Sequence, residues 1–208
     1  MSITPENKQY WEDSYTEKVR FKPNTVKNPW DIEKHDPNLE WVMNELNTIP
    51  RNVLEVGCGV GNDSNWLSQL CTTVTGIDIS SNAIDKANLN YSHIPNLKFI
   101  CGDLNSSIPF SHYDLIYERG VLHNVDVNYY REFFTNYYSR LSIKGHVIIL
   151  SGNENFYKGR DIVPPVILED VIIAIKGLFK VKLLKEINFP LAKGFTSNLG
   201  FAWILQKL

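Results

Sequence analysis

The chain has little cysteine, almost no net charge and no long uncharged run, and each scarcity removes a class of function. Its 208 residues hold three cysteines, Cys58, Cys71 and Cys101. An odd number without metal-ligand spacing points to reduced thiols in a cytoplasmic protein, and against a disulfide framework or a metal centre. Lysine and arginine number 21 against 23 aspartates and glutamates, for a net charge of -2. No basic field exists to draw in a polyanion, so nucleic acid is not an expected partner. No apolar stretch reaches the length of a bilayer span, and the polar start MSITPENKQYWEDSY lacks a signal core, so no membrane is expected either. What is present is an ordinary globular composition, 43% hydrophobic, sufficient for one sizeable core. A small-molecule acceptor and a monomer or weak homodimer are the expected partners.

From Val53 onward, strand and helix patterns alternate. NVLEV reads as a short buried strand, TVTGID, LKFICGD and YDLIYE as the second, third and fourth strands, and KGHVIIL as a turn leading into a fifth. Between them, Asn62 to Leu70 can form a helix capped by Asn62 or Asp63, and Ser80 can cap another with Ile84, Ala87 and Tyr91 on one face. Tyr130, Phe133, Phe134, Tyr137, Tyr138 and Leu141 recur at helical spacing as a wide core-facing stripe. Pro164 and Pro165 fit the first turn of a helix ending near Gly177, and FKVKLLKEI and LGFAWILQKL read as two final strands. This alternation predicts an α/β fold with a mostly parallel sheet covered on both faces.

Ligands of such sheets bind at the carboxyl ends of the strands. After the first strand comes GCGVG, in which Gly57 and Gly59 let the backbone turn sharply and Gly61 clears the start of the next helix. The dinucleotide fingerprint would need a further glycine where this chain has Asn62, which counts against a pyrophosphate cofactor. Asp78 ends the second strand 21 positions after Gly57, where a carboxylate can accept two ribose hydroxyls. Asp103 ends the third strand and suits an exocyclic amine. Together they describe an adenosine whose 5′ substituent needs no phosphate cradle.

VLEVGCGVG, GIDIS, CGDL, YDLIYERGVLHNV and LSIKGHVIIL, in this order and spacing, resemble the class I S-adenosylmethionine-dependent methyltransferases from about Asn52 to the end. The resemblance implies a Rossmann-like sheet of seven strands with an antiparallel last strand, and S-adenosyl-L-methionine as cofactor. It places Glu55, Gly57, Cys58, Gly59 and Gly61 around the methionine moiety, Asp78 on the ribose, Ile79 against adenine, and Asp103 with Leu104 at the adenine edge. More locally, YWEDSY, NPWD and YERG look like the thiol and thiopurine methyltransferases, which usually carry aspartate where this chain has Glu118; the tellurite-resistance methyltransferases share the same core. Sulfur, selenium or tellurium nucleophiles are the acceptors this implies. A protein, oxygen or nitrogen acceptor and a non-catalytic cofactor-binding module are the alternatives.

Methyl transfer requires two reactants held in line in a dry site, with no metal. Arg119 and His123 are the candidate catalytic residues: Arg119 to hold an anionic acceptor unless it pairs locally with Asp126, and His123 as a base unless it only packs beside the site. Glu118 is placed to favour the cofactor's positive end. Residues 1–38 are read as an aromatic arm, with Tyr10, Trp11 and Tyr15 on one side of a helix that Thr4 can cap, and with Phe21 and Trp30 following. The arm either covers the sheet permanently or closes as a lid over cofactor and acceptor; residues 39–208 form the single methyltransferase domain.

Overall fold

Val53, Leu54, Glu55 and Val56 are all buried because their strand, β1 (Asn52–Val56), runs through the middle of the sheet. The computed structural model describes residues 5–16, 28–103, 112–152, 166–193 and 198–208. The strands β2 (Thr73–Asp78), β3 (Leu97–Cys101), β4 (Tyr113–Arg119), β5 (Leu141–Gly152), β6 (Phe179–Phe189) and β7 (Asn198–Lys207) join β1 in one seven-stranded sheet ordered β3-β2-β1-β4-β5-β7-β6. All pairings are parallel except those of β7, which runs antiparallel to both β5 and β6. This is the expected Rossmann-like α/β architecture.

Alternation along the central strands sends neighbouring side chains to opposite faces. Leu54, Val56, Ile116, Val147, Ile149, Trp203 and Leu205 belong to one core. Val53, Leu115, Tyr117, Ile148, Leu150 and Ile204 belong to the other. The first core is covered by α5 (Tyr130–Arg140), whose Tyr130, Phe133, Phe134 and Tyr137 form the expected aromatic stripe, and by α6 (Leu168–Ile175). The second is covered by α2 (Pro37–Asn44) and α3 (Asn62–Ser68), through Leu39, Val42 and Leu67. Between β2 and β3 lies α4 (Ser81–Tyr91), capped as predicted by Ser80, whose Oγ accepts from the Ala83 N–H at 3.2 Å.

Several expectations need adjustment. The helix after the glycine turn is not capped by Asn62 or Asp63: it begins at Asn62, and Gly61 in the left-handed conformation stands at the cap with no side-chain bond. The turn expected before β5 is an irregularity within it, since the partner register jumps from Tyr113–Leu141 to Leu115–His146, with Lys144 at φ 62°. The domain boundary after residue 38 falls inside α2, which Asp36 caps through the Asn38 N–H. Thr4, Phe21, Pro164 and Pro165 lie outside the described residues. Among those described, no helix is long and apolar enough to cross a membrane.

The order places β1 and β4 side by side, with the chain leaving β1 toward β2 and β3 and returning at β4. Val56 lies opposite both Ile77 and Glu118, so the segments after these strands emerge at one edge of the sheet. That is the switch-point crevice where open sheets take their ligands.

The β5–β7 pairing is tight at Gly200, where an added Cβ would overlap the Ser151 carbonyl oxygen. Gly200→Ala is expected to lower the free energy of unfolding by about 1–3 kcal/mol, as overpacking does. Urea titration of the two proteins checks this, and equal midpoints would show that β7 can move aside.

Candidate active site

Gly57, Gly59 and Gly61 all adopt positive φ, at 70°, 53° and 86°. Their amides do not point at a vacant cradle. The N–H groups of Gly57 and Cys58 both donate to the Ile77 carbonyl, at 2.8 and 3.0 Å, and Gly61 donates to the Cys58 carbonyl at 2.9 Å. The Gly59 N–H donates to Asp78 Oδ2 at 2.9 Å. A phosphate-binding turn leaves such groups to the ligand; here the chain uses them to fasten β1's turn onto the end of β2. Cys58 is buried within it, and burial pushes its thiol well above its ordinary range, so it is a small lining side chain rather than a nucleophile.

Carboxylates gather beneath this turn. Glu55 is 3% exposed and accepts from the Ser64 hydroxyl. Burial, then the neighbouring charges of Asp63 and Asp78, raise its pKa well above the usual carboxylate range. Asp63 accepts from Tyr117 OH at 2.7 Å and from the Asp36 N–H at 2.7 Å. Asp78 is also buried, with its other oxygen accepting from the Ser80 N–H at 2.9 Å, and burial moves its pKa up to about 6. Ile79 is half-buried beside it. Gly102 donates to the Asp78 carbonyl at 2.9 Å, which brings Asp103 to the same edge; Leu104 lies outside the described residues.

After β4 the structure redirects three expected roles. Glu118 is fully buried and caps its own turn, accepting from the Val121 N–H at 2.7 Å and the Leu122 N–H at 3.2 Å. Burial raises its pKa to about 8, so before any ligand arrives it carries a proton at neutral pH rather than the expected negative charge. Arg119 does not pair with Asp126, which instead caps the 3-10 turn Val127–Tyr129. Its Nε meets Asp36 Oδ2 at 2.5 Å, Nη1 donates to the Trp30 carbonyl at 3.1 Å and Nη2 to the Pro190 carbonyl at 2.5 Å. The guanidinium also lies 4.6 Å from the Phe189 ring centroid, so an anionic acceptor would have to compete with partners on every side. His123 accepts a hydrogen bond at Nδ1 from the Gly152 N–H at 3.2 Å, and burial together with the Arg119 charge lowers its pKa to about 3. A general base works best with a pKa near the operating pH. His123 is a neutral structural acceptor.

The arm reaches this site from above. α1 (Pro5–Ser14) carries Tyr10, exposed, and Trp11, half-buried, with Tyr15 just beyond it and fully packed. Trp30 makes edge contacts with Trp11 at 5.3 Å and Tyr15 at 6.2 Å, and its Nε1 donates to Tyr15 OH at 3.0 Å. That hydroxyl sits directly over the turn: a Cβ added to Gly59 would lie 2.8 Å from it. A cleft of about 580 Å³ between Asp31, Asn62, Lys86 and Tyr91 lies to one side of the turn. The residues that the sequence singles out lie under the arm instead.

Residues 53–145 match a family model described as a methyltransferase domain. That segment, a little under half of the chain, resembles methyltransferase domains. A relative from Arabidopsis thaliana named "Probable thiol methyltransferase 2" is 31% identical over 94 residues, 43% of this chain and 41% of the relative. Malonyl-(acyl-carrier protein) O-methyltransferase 1 from Ilyobacter polytropus is 29% identical over 140 residues, 66% of this chain and 52% of that protein. The chain thus spans about half or less of these curated relatives' length. Among solved structures, the N-methyltransferase NodS from Bradyrhizobium japonicum WM9, in complex with S-adenosyl-L-homocysteine, superposes with a TM-score of 0.70 at 18% identity, covering 96% of this chain and 97% of that one. A structure described by the conversion of a disulfide bond into a thioacetal group during echinomycin biosynthesis gives 0.79 at 18% identity, covering 96% and 92%. At these identities the likeness is one of fold.

The donor set fits S-adenosylmethionine. Its turn has spent its amides and asks for no phosphate, Asp78 can accept ribose hydroxyls, and the buried carboxylate group of Glu55, Asp63 and Asp78 favours a ligand carrying a sulfonium and an ammonium. Sequence reasoning missed Asp36, Asp63 as an interior group, Tyr117 and Glu12. Asp36 had a legible signal, an aspartate before proline at a helix start; the other three had none, because their partners are distant in sequence.

Removing Arg119 leaves Asp36 charged and buried without its partner. Arg119→Met is therefore expected to cost about 3–5 kcal/mol of stability, as breaking a buried pair does, with any loss of turnover equal for anionic and neutral acceptors. Denaturation curves and kinetics on both acceptor types check this. A loss confined to anionic acceptors at unchanged stability would make Arg119 an acceptor contact instead.

Proposed function

We propose that the chain transfers a methyl group from S-adenosylmethionine to a small soft nucleophile, a thiol or a related selenium or tellurium compound. The observation that carries this reading is the state of His123. Its Nδ1 lone pair is engaged by Gly152, and its pKa of about 3 leaves it a poor proton acceptor. An alcohol or a protonated amine needs a base in the transition state, typically worth roughly a hundred to ten thousandfold. A thiol ionises near neutral pH unaided. Relatives named for a thiol and for oxygen acceptors both match this chain, so their names do not choose between acceptors, and the side chains after β4 favour the thiol.

Bound on Asp78 and Glu55, the cofactor supplies an electrophilic methyl group on a positively charged sulfur. The chain's own residues supply position and dryness. Val121 lies against Gly57, Phe189 beside His123 and Arg119, and Trp11 against Trp30, so apolar side chains gather around the glycine turn and the end of β4. An apolar wall favours a reaction in which an anion and a cation neutralise one another. Glu118 holds Val121 and Leu122 in place through their amides. The three free cysteines, Cys58 and Cys71 buried and Cys101 exposed, support a cytoplasmic setting.

Two measurements test the proposal. Incubation with S-adenosylmethionine and a panel of thiols, catechols and amines should yield S-adenosylhomocysteine with the thiols, at a kcat/KM that rises with pH along each thiol's own ionisation. Turnover restricted to catechols or amines would overturn the acceptor. For the cofactor, Asp78→Ala should weaken binding roughly ten- to a hundredfold by calorimetry, the worth of a charged hydrogen-bond acceptor. Asp78 accepts ribose hydroxyls only as a carboxylate, and its pKa is about 6. Wild-type affinity should therefore be constant above that pH and fall as pH drops through it, while a pH-independent affinity would place the ribose elsewhere.

A further inference from the structure

The N-terminus of α4 begins three residues beyond Asp78, and its first amides need partners. Ser80 Oγ serves Ala83. The amides of Ser81 and Asn82 are served by no residue of their own segment but by Glu12 of α1. Glu12 Oε1 accepts from the Ser81 N–H at 2.9 Å, and Oε2 accepts from the Asn82 N–H at 3.1 Å. The same Oε2 takes the Ser80 hydroxyl at 3.0 Å and Asn82 Nδ2 at 3.1 Å, and that amide also donates to the Glu12 carbonyl at 3.0 Å. A carboxylate is favoured at this end of a helix, where the macrodipole is positive. Burial alone would raise the Glu12 pKa, yet the Ser81 and Asn82 amides hold it below its ordinary value.

α1 has ten residues, too few to be more than marginally helical in water without docking. What its docking carries is the aromatic cover. Tyr15 follows Glu12 by less than one helical turn, and its hydroxyl rests on Gly59 and against the charge of Asp78. Asp78 is only 8% exposed beneath it. A nucleoside can reach that carboxylate only after the arm lifts, and it is sealed from water only after the arm returns.

We propose that Glu12 is the positioning residue of the reaction: by capping α4 from across the site, it latches Tyr15 and Trp11 over the cofactor and sets how fast the cofactor enters and leaves. This rests on the cofactor reading above. Glu12 touches neither reactant in this arrangement and acts through Tyr15. The latch joins segments 68 to 70 residues apart in sequence, so it forms and breaks with the closure of the arm and not with the folding of α4 alone.

The test compares the wild type with Glu12→Ala and Glu12→Gln. Stopped-flow displacement of S-adenosylmethionine by excess S-adenosylhomocysteine should show its dissociation rate raised roughly tenfold in Glu12→Ala and by a smaller factor in Glu12→Gln, which keeps one acceptor oxygen. KM for the cofactor should rise by a similar factor. Hydrogen exchange in the cofactor-free protein, over residues 5–14, should be faster in both variants while β1, β4 and β5 stay protected. This second measurement needs no cofactor, so it separates the latch from the functional reading. Faster exchange with an unchanged dissociation rate would overturn Glu12's control of cofactor exchange. Unchanged exchange over residues 5–14 would overturn the latch itself. A wild-type protein that exchanges as expected but binds no S-adenosylmethionine would sink the cofactor reading and the gating role with it.

Discussion

One buried cation holds the ligand end of this sheet together. Arg119 leaves the end of β4 and is met by Asp36, by the carbonyl of Trp30 and by the carbonyl of Pro190, with Phe189 beneath its plane. Those contacts come from the segment before α2 and from the loop beyond β6. An arginine suits this place better than a lysine, since its fixed fork can satisfy acceptors in several directions at once and it keeps its charge when buried. Asp36 in turn donates its amide to Asp63 and caps α2. The position of Trp30, and through it of Tyr15, follows from this one side chain.

The same network explains how the interior tolerates so much negative charge. Glu55, Asp63 and Asp78 are each under 9% exposed, and charges taken from water without partners cost several kcal/mol each. Hydrogen bonds from Ser64, Tyr117 and the backbone relieve part of that cost, and the pKa values of Glu55 and Asp63, raised by burial, reflect the part that remains. A positively charged ligand would complete the relief. The glycine turn, Asp78 and the buried acidic cluster are thus one electrostatic arrangement rather than separate motifs.

The fold was legible because its signals are local. NVLEV, TVTGID and YDLIYE are short segments rich in β-branched, aliphatic and aromatic residues, and Ser80 stands one residue before a helical pattern; each appears in the structure where the pattern put it. The aromatic stripe of α5 is legible for the same reason. The site was legible where a motif is contiguous, as in the glycine turn and Asp78. It was misread where a side chain's environment is built by distant residues. Nothing near Arg119 announces Asp36, 83 positions earlier. His123 looks like a base until Gly152 and the depth of burial are known, and Glu118 looks like a charge until its depth of burial is known. The cap of α3 was misassigned because a left-handed glycine performs, through backbone conformation, what a polar side chain usually does.

The inward-facing amides of the glycine turn have a consequence for life in a crowded cell. A nucleotide site built on exposed amides attracts any phosphate ester that fits, and adenine nucleotides are abundant wherever metabolism runs. By spending those groups on Ile77, Cys58 and Asp78, the turn offers ATP or a dinucleotide an adenosine seat with nothing to hold the charged tail. Discrimination among adenosine compounds then needs no dedicated recognition of the sulfonium: the common competitors are turned away by what the backbone has already used up.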